Sequence, residues 1–172
     1  MKVMDYIDKL SDTAKSVNEL QKEITVQEVW HIWDTLVQRY EVIEITQLLH
    51  NFAKDEDLKA VLTKGLEKVK KQANRTENFA NKYGIPLPPK APEAVTQTHN
   101  VEEITDRYIY RRVMRGIQAF LNLHMAGFIS AETPELRELF KEVLMEEISI
   151  FDNYFEYGKM KGWTVAAPRY RT

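Results

Sequence analysis

Apolar residues recur at steps of three and four along most of this 172-residue chain, a spacing typical of amphipathic helices. At the N-terminus the spacing covers residues 1–24 and predicts a helix of roughly 20 residues. Its apolar side is predicted to carry Val3, Ile7, Leu10, Ala14, Val17 and Leu20. Because one amphipathic helix is not stable alone, we expect it to dock on the rest of the protein or on a second subunit.

Four longer helices are predicted within residues 25–162. Thr25 and Glu28 have the spacing of a capping box at the start of the first one. The apolar face of that helix is predicted to include Val26, Val29, Trp30, Trp33, Val37, Tyr40, Leu48 and Phe52.

The remaining helix ends are marked by capping residues, glycine and proline. The second helix is predicted to stop at Gly84. Asn100, with Glu103 in the reciprocal position, is the predicted cap of the third. The fourth is predicted to begin at 133–135, where threonine is followed by proline and glutamate.

The links between these helices predict their arrangement. The first and third links are short and make antiparallel hairpins. The middle link, about 15 residues and rich in proline, can reach about 50 Å at ~3.3 Å per residue. A helix of roughly 27 residues is only about 40 Å long. The prediction is therefore an all-α, ferritin-like four-helix bundle with one long crossover between helices 2 and 3, followed by a tail at 163–172.

Composition and charge exclude several classes of protein. Hydrophobic residues make up 44% of the chain and charged residues 29%, as in an ordinary globular domain. The net charge of −2 gives no field that would attract nucleic acid or an anionic membrane. The absence of cysteine excludes disulfides, thiolate metal sites and cysteine nucleophiles. With neither a signal-peptide core nor a membrane-spanning apolar run, we expect synthesis in the cytoplasm and a soluble product.

Di-metal centres in ferritin-like bundles require a glutamate from each of two helices and a Glu-x-x-His pair from each of the other two. That spacing occurs once here, as Glu28 and His31. Both lie away from the predicted apolar stripe, so we expect them to face solvent.

Other polar residues are predicted to lie in the interior. Glu44 and Glu147 are placed in the seams of their helices, and His124 follows Phe120 by one helical turn. Position 150, where a ligand histidine would follow Glu147, is isoleucine. These residues do not make a dinuclear oxidation centre.

Two interpretations of these groups remain open. In one, Glu44, Glu147, Gln72, Tyr40 and His124 form a hydrogen-bonded layer that aligns the helices, and no cofactor is expected. In the other, Glu44, Glu147 and His124 hold a single divalent metal, because a buried carboxylate needs a cation, a donor or a metal beside it.

The predicted third helix also carries a basic ridge. Arg107, Arg111 and Arg115 repeat every four residues, with Arg112 alongside. The ridge is a candidate site for phosphate or another anion. The alternative is a solvated ridge paired with glutamates of neighbouring helices.

No catalytic residues are assigned, because the chain has neither a phosphate-binding glycine loop nor a nucleophile elbow. Trp30, Trp33, Tyr108 and Phe151 are expected in the core. They and the leading helix also suit a large subunit interface, and we expect a homodimer.

Two short motifs carry a family resemblance. Residues 82–88 read Lys-Tyr-Gly-Ile-Pro-Leu-Pro, and 161–163 read Lys-Gly-Trp, followed by Pro168. Together with the two hairpins and the crossover, they resemble the spore coat protein F-like group of spore-forming bacteria, over about residues 25–170. The resemblance implies a ferritin-like fold, a place in or near the spore coat, other coat proteins as partners, and no established catalytic activity.

The leading hypothesis from the sequence is a non-enzymatic structural or interaction protein of the spore coat type. The alternative is a metal-binding ferritin-like oxidoreductase that uses Glu44, Glu147 and His124.

Overall fold

The computed structural model describes residues 15–90, Glu93 and residues 104–165. Within them the chain forms one short helix, α1 (Val17–Leu20), and no strand. It also forms four long helices: α2 (Val26–Phe52), α3 (Glu56–Lys82), α4 (Asp106–Ser130) and α5 (Pro134–Met160). The all-helical prediction is confirmed. None of these described helices is long and apolar enough to cross a membrane.

The capping residues account for most of the helix boundaries. The Thr25 hydroxyl accepts a hydrogen bond from the Glu28 amide, which confirms the predicted capping box at the start of α2. Gly84 has a φ of 63°, a left-handed conformation that ends α3 as predicted. The predicted start of α4 is wrong, because the cap is Thr105, whose hydroxyl accepts from the Tyr108 amide. Residues 100–103 lie outside the described residues.

The predicted N-terminal helix is only partly described, since residues 1–14 lie outside the described residues. Ser16 has extended backbone geometry and caps α1, so no continuous helix passes through this residue, in contrast to the prediction for residues 1–24. Leu20 is buried in the core, and the Gln21 side-chain amide donates to the Tyr83 carbonyl at 2.9 Å. These contacts dock α1 on the end of α3.

Contacts between helix ends establish the topology. Gln27, near the start of α2, donates to Ser130 at the end of α4 at 3.1 Å. At the opposite end of the bundle, the Lys54 amide donates to Asp106 at 2.7 Å. The helices α2 and α4 are therefore antiparallel neighbours. We call the end that holds the start of α2 the proximal end, and the other the distal end.

The link between α3 and α4 joins opposite ends of the bundle. Lys82, at the end of α3, pairs with Glu135 at the start of α5, which places the end of α3 at the proximal end. Because α4 begins at the distal end, the two helix ends lie where the predicted long crossover requires them. The Gln47 side chain donates to the Glu93 carbonyl at 3.1 Å, so the crossover passes beside α2.

The hydrophobic core consists of two separate clusters. The proximal cluster includes Ile32, Leu36, Phe79, Leu136 and Phe140. The distal cluster includes Leu49, Leu58, Ile109, Met114 and Tyr154. Near its middle each long helix also buries a polar side chain, namely Arg39 on α2, Gln72 on α3, His124 on α4 and Glu147 on α5.

Glycine allows α4 and α5 to approach closely at both ends. A Cβ on Gly127 would lie 2.5 Å from the Phe140 ring in the proximal half. A Cβ on Gly158 would lie 2.0 Å from the Tyr110 phenol in the distal half. Neither position accepts a larger residue unless an aromatic ring moves.

The prediction that four aromatic residues lie in the core is wrong for two of them. Trp30 is 58% exposed and Tyr108 is 52% exposed, while Trp33 and Phe151 are half-buried. In its first half α2 instead buries Ile32 and Leu36, which lie off the predicted stripe, while Tyr40 and Phe52 of that stripe are buried as predicted.

Candidate functional site

Arg39, Glu147 and His124 form a buried cluster between the two halves of the core, which we call the polar layer. Arg39 Nη2 lies 2.7 Å from Glu147 Oε2 and 2.6 Å from His124 Nε2. The three residues are at most 2% exposed. The Arg39 guanidinium also lies 3.7 Å from the centroid of the Phe120 ring. One side chain from α2 thus contacts both α4 and α5.

The hydrogen bonds set the protonation state of the histidine. A guanidinium only donates, so His124 Nε2 accepts and its proton sits on Nδ1. Burial lowers the pKa of His124 to about 2, and the nearby Arg39 charge acts in the same direction. The imidazole is therefore neutral at physiological pH.

The carboxylate and the guanidinium neutralise each other. Burial raises the pKa of Glu147, while the Arg39 charge and hydrogen bond oppose that shift. Removing one partner of a buried pair leaves an uncompensated charge, at a cost of about 3–5 kcal/mol. Two groups in the layer, Arg39 Nε and His124 Nδ1, are buried without a partner among the described residues.

The other predicted members of this layer form separate pairs. The Gln72 amide donates to Glu146 at 2.9 Å, and Arg75 pairs with the same carboxylate. The Tyr40 hydroxyl donates to Glu77 at 2.8 Å. The predicted single network is therefore three groups, of which only one lies at the centre.

Glu44 does not belong to any of these groups, and its predicted place in the seam is wrong. The residue is exposed, because the buried line of α2 runs through Tyr40, Ile43 and Gln47. The structure brings His124 and Glu147 within 3.9 Å of each other but leaves Glu44 on the surface.

The residues at this centre do not fit a metal ion. Arg39 donates to the same Glu147 oxygen that a metal would need, and a guanidinium beside the site repels a second cation. No group of three histidine, aspartate or glutamate side chains is arranged to hold a metal within the described part of the chain. The predicted ligand set of Glu44, Glu147 and His124 is not assembled.

Glu28 was predicted to face solvent and is instead fully buried at the proximal end. Its carboxylate accepts from the Thr25 amide at 2.8 Å and from the Thr133 amide at 2.6 Å. Burial raises its pKa, but these hydrogen bonds outweigh the effect and hold the pKa below its ordinary value. Glu28 therefore ties the start of α2 to the α4–α5 turn. His31, also predicted to face solvent, is half-buried, with its ring nearly perpendicular to that of Phe140.

The predicted basic ridge lies in solvent. Arg107, Arg111 and Arg115 are all exposed on α4. Within residues 15–90, 93 and 104–165, none of them forms an ion pair with a glutamate of a neighbouring helix. Anion binding by this ridge remains a prediction.

A cavity of about 460 Å³ adjoins the polar layer and extends into the distal half. All four long helices line it, and its wall is mainly apolar, with contributions from Leu49, Leu62, Val69, Ile117, Phe120 and Ile150. The cavity is not a closed void, because the exposed residues Lys64, Lys68 and Arg112 also line it. It opens to solvent at the rim formed by these three residues.

Polar groups border the cavity on both its inner and outer sides. Arg39 and Glu147 line it at the polar layer, and Tyr154 and Tyr157 line it at the distal end. The two tyrosine hydroxyls are buried without a partner among the described residues. Lys64, Lys68 and Arg112 line the rim and are exposed.

Sequence reasoning missed both Arg39 and the cavity. Arg39 falls three residues after Leu36 and four before Ile43, so the correct apolar stripe would have marked it as a buried cation. The signal for the cavity was the isolated glycines at 65 and 116, each inside a helical pattern. A Cβ built on either one has nothing within 4 Å, and both line the cavity.

Comparison with known proteins identifies the family of this chain. Residues 12–172 match the family described as "Protein of unknown function (DUF3231)". The chain belongs to this family. A relative from Bacillus subtilis (strain 168), the uncharacterized protein YvdQ, is 24% identical over 148 residues, which span 82% of this chain and 85% of YvdQ.

Solved structures share the helical arrangement. A crystal structure from Bacillus halodurans C-125, of a protein provisionally named a spore coat protein, has a TM-score of 0.79 and 18% identity. The match covers 88% of this chain and 99% of that one. A conserved hypothetical protein, rv2844, from Mycobacterium tuberculosis has a TM-score of 0.63 and 13% identity, over 90% of this chain and 99% of that one. At these identities the likeness concerns the fold alone.

Proposed function

We propose that this protein is a non-enzymatic structural or interaction protein of the spore coat type, built on a ferritin-like bundle. The observation that carries the proposal is the Arg39 guanidinium, which pairs with Glu147 at the centre of the helices. A metal-dependent relative would need free carboxylates at that level. Here the charge is balanced by the chain itself.

The motifs behind the family resemblance support a structural role. Ile85 and Trp163 each donate a backbone hydrogen bond to the carbonyl five residues earlier, closing the ends of α3 and α5 around Gly84 and Gly162. Lys161 then pairs with Asp55 at 2.7 Å, joining the end of α5 to the α2–α3 turn. These motifs terminate helices and hold the ends of the bundle together.

The alternative, a metal-binding ferritin-like oxidoreductase, gains no support from the geometry, because Glu44 lies outside the interior. Elemental analysis of protein purified without chelator or affinity tag tests this point. We expect only trace iron, manganese and zinc. One equivalent of metal that disappears in a Glu147→Gln variant would establish the alternative and contradict our proposal.

Support for the expected homodimer comes from an exposed apolar patch at the proximal end. Val26 is 87% exposed, Trp30 58% and Ile129 74%. The hydrogen bond between Gln27 and Ser130 brings together the ends of α2 and α4 that carry these three residues. Such a patch is typical of an interface, and a second copy of the chain is the proposed occupant.

Light scattering tests the dimer. We expect a dimer mass for the wild type and a monomer mass for Trp30→Asp. Met160→Asp is the matched control, because Met160 is also exposed but lies at the distal end. A wild-type monomer at micromolar concentration would contradict the dimer.

Localisation tests the spore coat assignment itself. A fluorescent fusion of the full chain is expressed in sporulating Bacillus subtilis, and spores are separated from mother-cell lysate. We expect the fusion in the coat extract, with an unfused fluorescent protein as the control. Recovery of the fusion only in the lysate would contradict the assignment.

A further inference from the structure

We propose that the central cavity binds a small amphipathic anion, with its hydrocarbon body in the cavity and a carboxylate head group at the rim. The proposal goes beyond the structural role above and rests on the size, the lining and the charges of the cavity.

The size and the wall of the cavity suit the hydrocarbon body. Small-molecule sites are mostly apolar clefts of roughly 300–1,000 Å³ with a few polar groups. The volume of about 460 Å³ and the aliphatic and aromatic wall match that description. Glycine at 65 and 116 keeps two of the helices from filling the space.

Tyr154 and Tyr157 complete the wall of the cavity at its distal end. Their hydroxyls are buried with no partner among the described residues, and Tyr154 is only 5% exposed. Because a buried hydroxyl is closed to a ligand in the cavity, the rings add to the apolar wall and the anionic head group must lie elsewhere.

The rim of the cavity favours an anion over a cation. Arg39 is compensated by Glu147 within the wall. The other charged residues of the lining, Lys64, Lys68 and Arg112, are all cationic and exposed. A carboxylate held there stays partly hydrated, which avoids the cost of burying an anion in the apolar interior.

Calorimetric titration with two probes tests the proposal on the full chain. The probes are decanoate and decan-1-ol, which share a hydrocarbon chain and differ in the charge of the head group. We expect decanoate to bind with a stoichiometry of one and more tightly than decan-1-ol.

Substitutions that fill the cavity test whether the ligand binds there. We expect Gly116→Leu to abolish saturable binding, because its side chain would occupy the open space beside Gly116. Ala119→Leu adds the same side chain at an exposed position of α4 outside the cavity and should bind normally. Gly65→Leu repeats the test from α3, in case Gly116→Leu folds poorly. Undiminished binding in both glycine variants would overturn the proposal.

The head group is tested by charge. Lys68→Glu and Arg112→Glu should each weaken decanoate binding about two- to fivefold, the range of an exposed ion pair, and leave decan-1-ol unaffected. Lys70→Glu, an exposed position outside the lining, is the matched control. Decan-1-ol binding as tightly as decanoate, or absence of binding by every probe at millimolar concentration, would overturn the assignment of an anionic ligand.

Discussion

The proximal and distal halves of the bundle are built from the same four helices but occupy their interiors differently. In the proximal half, glycine at 127 brings α4 against the ring of Phe140 and closes the space. In the distal half, glycine at 65 and 116 borders a cavity of about 460 Å³. The same residue type therefore serves close packing at one level and an open space at another. The polar layer separates the two.

The largest loss of stability is expected when the buried ion pair between Arg39 and Glu147 is broken. Arg39→Met should lower the free energy of unfolding by about 3–5 kcal/mol, because Glu147 is left buried without its cation. Urea denaturation followed by circular dichroism measures the change.

A second variant shows whether the cost belongs to the unpaired charge. Arg39→Met combined with Glu147→Leu should recover most of the lost stability, since an apolar pair can replace a buried ion pair. If the single variant loses less than about 1 kcal/mol, the layer is not the buried pair described here.

A smaller loss of folding stability is expected at acidic pH. Between pH 6.5 and the folded pKa of about 2, the unfolded chain holds one more proton at His124 than the folded chain. Stability therefore falls as pH falls, by about 1.4 kcal/mol per unit, or about 2–3 kcal/mol between pH 6.5 and 4.5. The raised pKa of Glu147 acts in the opposite direction.

A matched variant isolates the histidine. His124→Gln replaces the titrating imidazole with a group that does not titrate, and leaves the other titrating groups in place. The difference between wild type and variant, taken from urea titrations at several pH values, should follow the slope given above. Parallel stability curves would mean that His124 is not held neutral in the folded protein.

Alanine in place of glycine at 127 should destabilise the proximal half. Its Cβ would lie 2.5 Å from Phe140 and force a shift of the ring, at a cost of about 1–3 kcal/mol. Thermal unfolding measures the effect. An unchanged midpoint would show that the proximal half has room to adjust, which would weaken the contrast between the two halves.

The smallest expected change is a gain of stability. Gly116→Ala meets nothing within 4 Å and gains helix propensity, so it should stabilise the protein by about 0.5–1 kcal/mol. The same thermal measurement applies. A loss of stability like that of Gly127→Ala would mean that the cavity is smaller than described.

Capping chemistry and loop lengths predicted the helices and their order well, because both act locally or through simple chain geometry. Thr25, Gly84 and Pro134 each lie at the predicted helix end. The start of α4 was misplaced because several residues before Asp106 are also good caps, and sequence alone does not choose between Asn100 and Thr105.

The side-chain interior was harder to predict because a small rotation of one helix changes which residues are buried. Val26 and Trp30 begin the predicted apolar stripe of α2, but both are exposed, and this part of the helix buries Ile32 and Leu36 instead. The error moved Glu44 inward and left Arg39 unrecognised. The prediction that Glu147 and His124 are buried holds, since both follow the apolar spacing of their own helices.

Arg39 sits on one hairpin, and both of its partners sit on the other. If one hairpin slid along the other by a single helical turn, about 5.4 Å, the guanidinium would lose both partners. The Glu147 carboxylate would then be unpaired in the apolar interior. Apolar surfaces alone would tolerate such sliding far better, because one leucine contact resembles the next. The three side chains therefore act as a latch that admits one alignment of the two hairpins.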